Sequence, residues 1–160
     1  GLDYFKNYNE INIQKNAFLK QLELARDFDL PVVIHVRDAF ADVFKILENF
    51  NINVILHCFT GGVAEVKTAI ERGYMVSFSG IITYPKNHEL REAVRIVPNE
   101  LLMVETDGPF LSPQKYRGQR NEPAFMVETL KTLSECKGLS LKEMDQITTV
   151  NTKRVFKLKA

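Results

Sequence analysis

Three side chains that could share a cation stand at the ends of apolar, β-branched runs: His35 in PVVIHV, His57 in NVILH and Asp107 in LLMVETD. Two imidazoles and a carboxylate suit a divalent ion such as Zn, Mn or Mg. Bound there, such an ion would activate water and stabilise negative charge on an oxygen, which is hydrolytic chemistry. A single histidine at a strand end is ordinarily a satisfied polar residue on a rim. Here two of the chain's three histidines and an acid repeat the placement, and the repetition favours a metal site. Glu105 lies two positions before Asp107, so on an extended strand both carboxylates face one side. Glu105 is then either a second acid acting on water or a hydrogen-bonding group inside the fold. His88 opens a helix in a polar segment and reads as a surface or capping residue.

Groups that could hold an anion lie close by in sequence. Arg37 follows His35 by two positions, where its guanidinium could grip a phosphate or carboxylate; an ion pair with Asp38 or Asp42 is the alternative. Lys115, Arg117, Arg120 and Asn121 fall in GPFLSPQKYRGQRNEPA, an aperiodic segment rich in Gly, Pro, Arg and Asn. A long loop of that kind inside a compact domain is more often functional than idle. Tyr84 and Tyr116 are either stacking surfaces for a base or packing residues. Cys58, next to His57, reads as packing, since no orienting geometry marks it as a nucleophile.

The elements that must position these groups alternate. Residues 13–28 show apolar positions near helical spacing. Residues 31–36 form a β-branched run without polar alternation, as expected of a strand buried on both faces in a parallel sheet. Asp38 is placed to cap the next helix. The alternation continues with strand 53–57, helix 63–72 closed by Gly73, strand 75–80, helix 88–96 and strand 101–107. Four βα units in series predict an α/β fold with right-handed crossovers. In a (β/α)8 barrel every strand opens its C-terminal end on one face, which lets His35, His57 and Asp107 converge. Two helices, 125–137 and 141–158, follow the loop.

Composition narrows the partners. With 21 basic and 20 acidic side chains the formal charge is +1, so a polyanion must be met by a local patch. Two distant cysteines argue against a disulfide framework and suit a reducing, cytoplasmic compartment. No apolar run approaches the roughly 20 residues of a membrane span.

Six blocks in order, GLDYF, VIHVRDA (33–39), HCFTGG (57–62), VSFSGIIT (76–83), VETDGPFLSP (104–113) and RGQRNEPA (117–124), closely resemble the TatD-like metal-dependent deoxyribonucleases. The resemblance implies an amidohydrolase-like (β/α)8 TIM-type barrel with one or two divalent ions, Mg2+ foremost and Mn2+ or Zn2+ as alternatives. It also implies hydrolysis of DNA phosphodiesters, commonly as a 3′–5′ exonuclease on a single strand or duplex end. Carried over by motif, His35, His57 and Asp107 are metal ligands, and Asp107 is also the catalytic residue that polarises the attacking water.

The family's His-x-His pair and its Glu before the GLDY block have no counterpart here. The expectation is therefore one α/β domain over 1–160, N-terminally incomplete, with about the C-terminal half of a barrel as four parallel strands. Alone, such a chain would hydrolyse little and could self-associate, whereas the complete protein would be a monomer. Two other readings fit the same residues: an amidohydrolase-type hydrolase of small C–N or ester substrates, and a noncatalytic α/β interaction module.

Overall fold

The protein, seen in a computed structural model, is described over residues 1–5 and 9–158. It is built on five parallel strands in the order β1-β2-β3-β4-β5. They span Leu2–Asp3, Val32–Arg37, Val54–His57, Met75–Phe78 and Leu102–Val104. Helices α1 (Ile11–Asp27), α2 (Phe40–Leu47), α3 (Val63–Glu71) and α4 (His88–Ile96) connect them, and α5 (Met126–Lys137) and α6 (Leu141–Val155) close the chain. The sheet thus has five strands where four are expected. The extra one, β1, pairs Leu2 with Val36 and Asp3 with Arg37. Two residues carry no readable periodicity, which is why this strand escapes a sequence reading.

Alternation along the strands separates two faces. Ile34, Val36, Leu56, Val76, Phe78 and Leu102 share one large core with Phe18 and Leu22 of α1, Val43 and Leu47 of α2, and Val66 of α3. Leu90 and Val94 of α4 and Leu130 and Leu133 of α5 complete it. Ile55, Met75 and Met103 point the other way and pack against Val155 of α6. On that second face β2 presents Val33 and His35, both half-exposed. Register then puts His35 beside His57.

Local chemistry sets the helix ends. Ser140 caps α6 in a reciprocal box: its Oγ accepts from Glu143 N at 3.2 Å, and Glu143 Oε2 accepts from Ser140 N at 2.8 Å. Gly138 ends α5 in the left-handed conformation at φ 65°, which glycine adopts without Cβ strain. Asp38 does not cap α2. It takes φ 54° itself, and the helix starts after Ala39 without a side-chain cap. Asn151, buried in α6, donates to the carbonyls of Asn99 and Leu102 at 2.7 and 2.8 Å. These two bonds tie the last helix to the entry of β5. Among the described residues no helix is long and apolar enough to cross a membrane, and Cys58 and Cys136 are free thiols.

Candidate metal centre

The strands end abruptly at the face where the polar groups gather. The residues just past β2 and β3, Asp38 and Cys58, have φ 54° and 43°, and Asp107, three positions past β5, has φ 58°. Non-glycine residues in this region carry a backbone cost of order 1–3 kcal/mol each. Three such positions at strand exits mark this face as one whose geometry is over-determined by its surroundings. Contrary to expectation, Glu105 and Asp107 are not on an extended strand. β5 ends at Val104, and the left-handed turn at Asp107 brings both carboxylates onto one imidazole.

His57 sits between them. Its Nδ1 lies 2.7 Å from Glu105 Oε1 and its Nε2 lies 3.2 Å from Asp107 Oδ1. One ligand atom from each of His57, Glu105 and Asp107 falls within 4.8 Å of the other two. The Glu105 carboxylate, in hydrogen-bonding reach, raises the His57 pKa above its usual value; burial opposes this, and the charges of Glu105 and Asp107 add to it. Burial raises the Asp107 pKa, His57 lowers it by its charge, and the Glu105 charge raises it again. The shifts describe a half-buried nest in which burial acts on Asp107 and the Glu105 carboxylate acts on His57.

That nest fits a cation. Glu105 Oε1 is close to His57 but off the line of a ring N–H. Among the described residues it is a buried carboxylate oxygen without an aligned hydrogen bond. Leaving such an oxygen bare is costly, and a divalent ion satisfies it while relieving the repulsion between the two acids. His57, Glu105 and Asp107 are the side chains that would hold it.

His35 stands beside this cluster and outside its tightest part. Its ring centroid is 6.3 Å from that of His57, and Asp3 Oδ2 lies 3.0 Å from its Nε2. The expected trio is therefore a pair, His57 and Asp107, closed by Glu105, with His35 as an adjacent group engaged by Asp3. Asp3 carries no readable strand pattern because its strand is only two residues long. Its one signal is position: an acid ending a short apolar start, the pattern that marked Asp107.

The remaining candidates divide by surroundings. Arg37 makes neither of its expected ion pairs; its guanidinium lies over the Phe5 ring, 3.6 Å from the centroid. Asp42 is instead held by Lys15 and the Tyr4 hydroxyl, each at 2.8 Å. Arg117 and Arg120 are exposed on the loop after β5, whereas Lys115 reaches Glu128 at 3.3 Å. The assignment of Asn121 to substrate binding is corrected. Asn121 is only 4% exposed, and its amide donates to the carbonyls of Thr106 and Phe110, each at 2.6 Å. Both amide hydrogens are consumed in bracing the turn that carries Asp107.

Tyr116 stacks on Phe125 at 3.8 Å between centroids and is a packing residue. Cys58 also packs: its Sγ lies 3.1 Å from Ser79 Oγ, and burial pushes the thiol up to about 12. A thiol so raised is no nucleophile near neutral pH. His88 is exposed and 2.9 Å from Arg91, as its polar setting predicts.

Comparison with known proteins identifies the family of the chain. The family model for TatD related DNase matches residues 1–157. The uncharacterized metal-dependent hydrolase YabD of Bacillus subtilis (strain 168) is 37% identical over 161 residues, covering 99% of this chain and 63% of that protein. YcfH, an uncharacterized metal-dependent hydrolase of Escherichia coli (strain K12), is 36% identical over 163 residues, covering all of this chain and 62% of that protein. The crystal structure of YJJV, a TatD homologue from Escherichia coli K12, superposes with a TM-score of 0.93 at 27% identity, over 99% of this chain and 62% of that one. The chain thus spans just under two thirds of these relatives, more than the half expected from sequence. The parallel α/β architecture is that of the TatD barrels.

Proposed function

Because the chain belongs to the family of TatD-related DNases, we propose that it carries a metal-binding part of a divalent-metal-dependent hydrolase that cleaves DNA phosphodiesters, as a 3′–5′ exonuclease. The observation that carries this reading is His57 held between Glu105 and Asp107 at the strand exits. An ion there would supply Lewis acidity and a water of lowered pKa. Asp107 would be the residue to orient an attacking water and accept its proton, and burial raises its pKa above the ordinary carboxylate value. Glu105 fixes the ring of His57 from the other side. Exposed Arg37 at the end of β2 and Arg117 and Arg120 on the loop after β5 hold phosphate oxygens. Mg2+ is the favoured ion because two of the three donors are carboxylates, while the imidazole keeps Mn2+ and Zn2+ open.

The substrate follows from the charge pattern. A net +1 gives no long-range field for duplex DNA, so binding rests on local contacts to a single strand or a duplex end. Free thiols accord with a cytoplasmic setting.

The test is a substrate panel on EDTA-stripped protein restored with Mg2+, Mn2+ or Zn2+. The expected result is weak, metal-dependent shortening of a 5′-labelled oligonucleotide in one-nucleotide steps, weak because the chain spans only 62–63% of its relatives. Hydrolysis of a neutral amide or ester with no phosphodiester product would overturn the reading in favour of a small-molecule amidohydrolase.

A further inference from the structure

A second polar cleft opens at the same edge of the sheet as the metal centre, among the segments that follow the strand ends. It lies between the segment leaving β4, residues 80–88, and the loop leaving β5, residues 105–122. The cavity measures about 400 Å3 and is lined by Tyr84, Pro85, Lys86, Asn87, Gln114 and Arg117. Two cations, two amides and no carboxylate face it. Among the described residues neither Lys86 nor Arg117 pairs with an acid, and both are exposed.

The walls are built rather than loose. Arg91 of α4 donates to the carbonyls of Ile82, Tyr84 and Pro85 at 2.8, 2.7 and 2.9 Å, fixing one wall from behind. Asn87 Nδ2 donates to Ile81 O at 2.8 Å within the same wall. The two walls are tied to each other: the Tyr84 hydroxyl donates to Ser112 O at 2.9 Å, and Gln114 N donates to Thr83 Oγ1 at 2.7 Å. Gly80 lets them approach, since a Cβ there would stand 2.3 Å from Leu111 O. The Arg117 guanidinium lies over the Tyr84 ring, 4.2 Å from the centroid, which holds its charge at the cleft instead of leaving it to sweep through solvent. A guanidinium held in this way loses little entropy when an anion binds.

The loop that carries Arg117 and Gln114 also carries Asp107, so an anion in the cleft and a phosphodiester at the metal centre meet the same segment of chain. We propose that the Lys86–Arg117 cleft is a second phosphate subsite, taking a backbone phosphate of the nucleic-acid strand whose scissile phosphodiester lies at the metal centre. The assignment rests on the phosphodiester reading above. It makes the cleft a determinant of strand affinity, not of the chemical step.

The test is binding of a fluorescently labelled single-stranded oligonucleotide by anisotropy, in EDTA so that no cleavage intervenes, across a salt series. Removing both cations in the variant Lys86→Ala, Arg117→Ala is expected to raise the dissociation constant about 10-fold at low salt. The slope of log affinity against log salt should fall by about 0.7, the value for one phosphate contact on a single strand. The charge-matched variant Lys67→Ala, Lys142→Ala, altered on α3 and α6, should bind as the parent does. If the parent binds and the cleft variant shows the same affinity and slope, the subsite is overturned while the nucleic-acid reading stands. If the parent binds no oligonucleotide, that reading fails and the subsite with it. Displacement of the oligonucleotide by millimolar inorganic phosphate from parent and cleft variant alike would also overturn it.

Discussion

An Asp107→Asn variant is expected to lose about 10^3-fold in phosphodiester turnover while keeping its fold. The substitution keeps shape and removes the charge that both anchors an ion and takes a proton from water, two contributions that each reach several orders of magnitude in such sites. Structure predicts the second half of the result. Burial raises the Asp107 pKa, so the ionised carboxylate is held at a cost, and asparagine tolerates the left-handed φ of 58° at this position. Metal-free Asp107→Asn protein should therefore melt no lower than the parent. Loss of activity together with a drop of several degrees in Tm would mean that Asp107 is structural.

Removing the charge of Glu105 is the second large perturbation. Glu105→Gln is expected to weaken divalent binding at least about 10-fold, since it removes the charge of one of the three side chains that would hold the ion and that also braces His57. It also carries a pH signature. In the metal-free fold Glu105 raises the His57 pKa above the unfolded value near 6.5. The folded state then binds more protons than the unfolded one between those two values. The resulting stability is fully present below pH 6.5 and is lost as pH rises through the folded pKa. Urea midpoints measured in EDTA should thus fall from pH 6 towards higher pH in the parent, and that fall should shrink in Glu105→Gln. Identical pH profiles would refute the coupling between Glu105 and His57.

The site was legible where a ligand type ended a long apolar run. His57 and Asp107 could be read in that way because β3 and β5 are continuous β-branched or aliphatic segments whose polar ends stand out. Glu105 was ambiguous, since within an assumed strand it alternates like any other residue. Only the turn at Asp107, with its positive φ, puts both acids on one imidazole. Asp3 was lost because two residues of strand give no period, and with it went the fifth strand of the sheet. Asn121 shows a different failure: an amide among basic loop residues looks like a ligand contact, yet its side chain turns inward to two carbonyls. Sequence cannot distinguish an exposed amide from one that staples a turn. The cleft beside Tyr84 was half visible, as Arg117 was a candidate phosphate contact, but its partner Lys86 lies far away in sequence.

Metal content is the most direct test of the centre on which the account depends. EDTA-stripped parent and a His35→Ala, His57→Ala double variant would each be equilibrated with Mn2+, freed of excess ion and assayed for bound metal. The parent should retain ion at a defined stoichiometry and the double variant should retain almost none. Equal metal in the two would contradict the assignment of this face as a metal centre.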